Sequence, residues 1–108
     1  MAEKGLPDDI RVQLEETVSR FNGEIIQDPD DFYRIRYRGN YVYLGREDFG
    51  IIYPICRLRY TGKVDGWEFA IYKYSDERYD PDEWMFPGAE HLDGTVEGAL
   101  RAGLEAYP

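Results

Sequence analysis

The chain has 108 residues, a mass of 12.7 kDa and a formal charge of −9, from 13 Lys and Arg against 22 Asp and Glu. With 43% hydrophobic residues it can close a core, which excludes a fully disordered chain, and its length suits one domain rather than two, so residues 1–108 are read as a single domain. One Cys and one His exclude an intramolecular disulfide and every Cys/His zinc pattern.

Met1 to Gly5 carries neither the basic nor the apolar stretch of a secretory signal, and Met1 reads as an unprocessed start, so a cytoplasmic location is expected. Pro7 to Phe21 predicts a helix, with Asp8 and Asp9 in its first turn and Ile10, Leu14, Val18 and Phe21 on one face. Asn22-Gly23 should end it as a C-cap, and Glu24 to Gln27 is a short strand candidate. After the Asp28-Pro29-Asp30-Asp31 turn, Phe32 to Arg38 and Tyr41 to Arg46 flank Gly39-Asn40, a loop that closes a tight hairpin. Ile51 to Tyr60 is a third strand, broken or edged by Pro54, and Trp67 to Ser75 a fourth. Ile51 to Cys56, the longest uncharged apolar run, falls far short of the roughly 18 residues a bilayer needs, so no membrane is expected. Asp76 to Asp93 is acidic and turn-rich, and Thr95 to Tyr107 predicts a second helix capped by Asp93 or Thr95. The order implies an α+β two-layer sandwich: a four- or five-stranded antiparallel meander with both helices on one face.

Two hairpins set the register. Pairing Arg38 with Tyr41 places Tyr37 against Val42, Arg36 against Tyr43, Ile35 against Leu44 and Arg34 against Gly45. Pairing Tyr60 with Trp67 sets Arg59 against Glu68, Leu58 against Phe69, Arg57 against Ala70, Cys56 against Ile71 and Ile55 against Tyr72. Both predict one apolar face and one of Arg and Tyr.

Ten Tyr, five Phe and two Trp make this a sheet former's composition, and the rings divide in two. Phe21, Tyr33, Tyr37, Tyr60, Trp67 and Phe69 belong to the core. The other face presents Arg34, Arg36, Arg38, Tyr41, Tyr43, Tyr53, Arg57, Arg59, Tyr72 and Tyr74 as the candidate binding face. From Tyr33 to Lys63 seven basic residues stand against two acidic, a local charge of +5 inside a remainder of −14.

Five carboxylates in residues 76–83 and a second cluster at Asp28, Asp30 and Asp31 read as solvated loops, without the glycine a calcium hand requires, so no metal is expected. Trp84 to Pro87 should lay a loop across the end of the core. Gly-Xaa-Ser-Xaa-Gly does not occur and no glycine cluster forms a phosphate loop, so neither catalytic residues nor cofactors are assigned.

Helix, β-meander, helix is similar in outline to the double-stranded RNA-binding domain. That family begins its last helix with lysines, whereas Asp93-Gly94-Thr95-Val96-Glu97 would repel a phosphate, so none of its residues is carried over. The expectation is a non-catalytic binding protein that uses the Arg/Tyr face for a protein partner or for itself as a homodimer. The alternative is single-stranded nucleic acid, RNA or another polyanion on the same face, stacking on Tyr and pairing with Arg.

Overall fold

The computed structural model describes residues 5–108. Helix α1 (Asp8–Phe21) leads into five strands, β1 (Asp31–Arg38), β2 (Tyr41–Asp48), β3 (Ile51–Arg59), β4 (Glu68–Lys73) and β5 (Arg78–Asp80), and helix α2 (Val96–Ala106) closes the chain. The strands form one antiparallel sheet in sequence order, the expected meander. No helix among the described residues is long and apolar enough to cross a membrane.

The core lies between the helices and one sheet face. Ile10, Leu14, Val18 and Phe21 of α1 and Val96, Ala99 and Leu100 of α2 bury against Tyr33, Val42, Leu44, Ile55, Cys56 and Leu58. Tyr33 joins the layers: its ring meets Phe21 edge-on at 6.0 Å and its hydroxyl donates to the Leu100 carbonyl at 2.8 Å. At Gly103 a Cβ would come within 2.6 Å of both Ile55 Cγ2 and the Tyr33 hydroxyl, so the missing side chain lets α2 sit close on the sheet. Thr95 caps α2 by accepting from the Gly98 amide at 3.0 Å, while Asp93 accepts from the Thr95 amide, so both expected caps act in series.

Both hairpin registers are observed from Arg38↔Tyr41 to Arg34↔Gly45 and from Arg59↔Glu68 to Cys56↔Ile71. Gly39 alone of its turn has positive φ (60°), the pattern of a type II′ turn.

Three expectations are corrected. Glu24 to Gln27 is no strand: the chain continues helically through Asn22–Ile26 in a π turn and stops at Gln27, which is left-handed at φ 56°. Asn22 does follow the last residue of α1 as its C-cap, but in a right-handed conformation that lets the helical path run on, and its side-chain amide pairs with the backbone of Tyr33, accepting from N–H at 2.9 Å and donating to C=O at 3.2 Å. Ile55 does not oppose Tyr72 on the outer face. Leu44 pairs with Cys56 but Gly45 with Pro54, so Ile55 is the extra residue of a β-bulge and is buried beside Cys56. Pro54, which has no N–H to donate, occupies the central strand at the irregularity that tolerates it. Finally, Arg78–Asp80 forms a fifth strand within the stretch read as loop.

Candidate functional site

The face away from the helices carries most of the predicted residues. Arg34, Arg36 and Arg38 are exposed along β1, Tyr41 and Tyr43 half-buried on β2, Arg57 and Arg59 half-buried on β3, and Tyr72 half-buried on β4. Strand pairing aligns Arg36, Tyr43, Arg57 and Ala70 in one row and Arg38, Tyr41, Arg59 and Glu68 in the next.

Within those rows the arginines lie on the rings. The Arg36 guanidinium is 4.7 Å from the Tyr43 centroid, and that of Arg57 is 4.8 Å from Tyr41 and 5.6 Å from Tyr79. Tyr43 and Tyr72 each meet Tyr79 edge-on, at 5.3 and 5.0 Å. Tyr79 is thus the centre of the aromatic cluster, and the sequence reading missed it. A three-residue strand among turn residues leaves no alternation to detect; the one signal was a ring inside an acidic run.

The five arginines are not equivalent. Arg34 pairs with Glu47 at 2.7 Å and Arg59 with Glu68 at 2.6 Å, both on this face. Among the described residues, Arg36, Arg38 and Arg57 form no ion pair. Arg34, Arg36, Tyr43, Gly45, Ile52, Pro54, Tyr72 and Tyr79 line a groove of about 490 Å³. A Cβ on Gly45 would meet Ile52 Cγ2 at 2.9 Å and the Tyr53 carbonyl at 3.1 Å, so Gly45 and Pro54 give the groove a low floor beside the bulge.

One predicted face residue lies elsewhere and one stands at the rim. The bulge reverses side-chain phase, so Tyr53 opposes Arg46, whose other neighbour is core Tyr33. Tyr74 follows the end of β4 at the rim, where it meets Tyr72 of the face edge-on at 4.9 Å and Tyr107 at 5.4 Å. Both line a second cavity, of about 210 Å³, with Asp31, Arg46 and Tyr107. Burial and the neighbouring phenols Tyr107 and Tyr72 push the Tyr74 hydroxyl up to about 12, so it stays a neutral donor, here to the Pro54 carbonyl at 2.8 Å. Arg46 is buried with each of its three nitrogens bonded: Nε and Nη2 donate to the two Asp31 oxygens at 2.7 and 2.8 Å, and Nη1 to the Tyr107 carbonyl at 2.7 Å. The hydrogen bonds from Arg46 hold the Asp31 carboxyl below its ordinary range.

The acidic loop closes on a lysine. Lys73 Nζ lies 3.0 Å from Glu83, 3.7 Å from Asp76 and 3.8 Å from Asp80, and its hydrogen bond lowers the Glu83 carboxyl. Trp84 and Met85 are exposed, while Phe86 stacks on Phe69 at 5.8 Å and secures the loop to the sheet end. Cys56 is wholly buried, which pushes its thiol up and keeps it protonated, whereas His91 sits at the surface with Nε2 3.0 Å from Glu105.

No protein family matches the chain, and comparison with curated proteins and with solved structures finds no match either.

Proposed function

We propose that the chain is a non-catalytic protein-binding module that engages its partner through the outer-face groove. Arg36 carries this reading: it lies on Tyr43 at the groove rim with no carboxylate partner among the described residues, above a floor of Gly45 and Pro54 and close to exposed Ile52. Tyr and Arg around a low apolar floor is the composition of a protein interface core, where large rings and planar cations gain most from desolvation. For a nucleic acid the face offers few free cations, since two of its five arginines already hold carboxylates and the chain outside residues 33–63 carries −14.

A photocrosslinking amino acid in place of Tyr72 tests the reading in cells. The expected result is a discrete protein adduct that disappears with Arg36→Glu and does not form when the crosslinker replaces Glu16, an exposed α1 residue. An adduct of twice 12.7 kDa would identify a second copy as the partner. Absence of any adduct, or low-salt binding of a labelled single-stranded oligonucleotide that Arg36→Glu with Arg57→Glu abolishes, would overturn the protein reading.

A further inference from the structure

Strand β1 is the long edge of the sheet, unpaired on its outer side among the described residues, and alternation fixes which of its backbone groups point outward. In an antiparallel pair, successive residues alternate between exchanging hydrogen bonds with the partner strand and directing N–H and C=O away from it. Asn22 shows the phase. Its side-chain amide binds both the N–H and the C=O of Tyr33, so Tyr33 faces away from β2. By alternation Ile35 and Tyr37 also face away, while Arg34, Arg36 and Arg38 hold the ladder to β2. Arg38↔Tyr41, which closes the two-residue turn, is hydrogen-bonded by the same count. Among the described residues, no side chain or neighbouring segment bonds the backbone of Ile35 or Tyr37. Asn22 therefore acts as a one-residue strand that seals the start of the edge and leaves two donors and two acceptors in line.

Side chains along this edge select what can fill it. Arg34, Arg36 and Arg38 project on the outer face, and Ile35 and Tyr37 lie half-buried on the helix side. A second copy pairing β1 with β1 about a two-fold axis would set Arg36 against its own counterpart and Arg34 against Arg38. Like charges directly opposed destabilise a strand pair. A nucleic-acid strand could meet the arginines but cannot satisfy alternating amide donors and acceptors. An extended peptide can, and carboxylates at every second position would fall opposite the arginines while intervening apolar side chains cover Ile35.

We propose that β1 is a strand-addition site for an acidic, alternating peptide segment that pairs with the backbone of Ile35 and Tyr37 and sets carboxylates against Arg36 and Arg38. This deepens the protein-binding reading, sharing its arginines, but stands on the edge rather than on the groove.

The probe is the synthetic peptide acetyl-Thr-Glu-Val-Glu-Val-Glu-Thr-amide, titrated into isotope-labelled full-length protein with amide hydrogen exchange as the readout. The expected result is slowing of exchange at Ile35 and Tyr37 by roughly tenfold or more, with Arg34 and Arg36, already in the ladder, little changed. N-methylating the peptide amides that face β1 should abolish the protection, and methylating the alternate amides should not. Lysine in place of glutamate should abolish binding to the wild type and restore it to the Arg36→Glu, Arg38→Glu variant. Unchanged exchange at Ile35 and Tyr37 up to millimolar peptide, or equal effects of the two methylation patterns, would overturn the proposal. Shifts at Tyr43 and Tyr72 without protection of Ile35 and Tyr37 would overturn strand addition while leaving the groove reading in place. Oligonucleotide binding without that protection would assign the arginines to phosphates and overturn strand addition too.

Discussion

Arg46 lies 5.8 Å from the Tyr33 ring on the helix side of the sheet, and Arg36 lies 4.7 Å from the Tyr43 ring on the open side. The same two side-chain types serve opposite ends. Tyr33 is 2% exposed and Arg46 6%, and their polar atoms are spent inside the molecule, on the Leu100 carbonyl, Asp31 and the Tyr107 carbonyl. Tyr43 is half-buried, Arg36 is exposed, and the guanidinium has no carboxylate partner among the described residues. A buried polar group without a partner costs about 1–3 kcal/mol, so burial demands a partner for every polar atom of the first pair, and exposure lets water serve the second until a ligand displaces it.

This contrast can be broken first at Tyr33. Tyr33→Ala removes a ring packed between α1, α2 and the sheet and should cost about 3–5 kcal/mol in urea unfolding; a loss near that of a surface site would deny Tyr33 its joining role. Next is Arg46→Ala, which releases the Asp31 carboxylate and the Tyr107 carbonyl together. Because Asp31 keeps 26% of its side-chain exposure and can be hydrated in part, the expected loss is about 2–3 kcal/mol. The same pair sets an acid dependence. The folded-state pKa of Asp31 is depressed, so its contribution is present above the ordinary value of 3.8 and lost as pH falls below it. The stability gap between wild type and Asp31→Asn should therefore close on acidification through that range; a gap independent of pH would contradict the ion pair. The smallest effect is expected on the open side. Arg36→Gln should shift stability by no more than about 0.5 kcal/mol while weakening partner binding, and a loss like that of Arg46→Ala would mean the two pairs are alike after all.

The sequence carried the residues of the open face further than their arrangement. Alternation around Gly39-Asn40 and between Tyr60 and Trp67 was enough to place Arg34, Arg36, Arg38, Tyr41, Tyr43, Arg57, Arg59 and Tyr72 together, and strand pairing puts all eight on that side. Tyr53 was misplaced because a bulge at Ile55 reverses every side chain beyond it, whereas Tyr74, just past the end of β4 at Lys73, keeps contact with the face through Tyr72. Tyr79 was hidden because three residues cannot show a period. Which arginines are neutralised was half legible, since the Arg59–Glu68 pair follows from the hairpin register while Arg34–Glu47 is a diagonal contact that the register alone does not select.

Local pattern by itself determined both helices, the order of the first four strands, the registers of two hairpins and the separation of an apolar face from one of Arg and Tyr. Those features rest on side-chain periods imposed by helix and pleat, which operate between near neighbours. Only the tertiary structure decided that Ile55 turns inward where α2 presents Gly103, that the Asn22 side chain caps a strand edge, and that Tyr79 completes the aromatic cluster. Each is a contact between segments distant in the chain, settled by how closely the layers fit and by which buried polar groups must find partners.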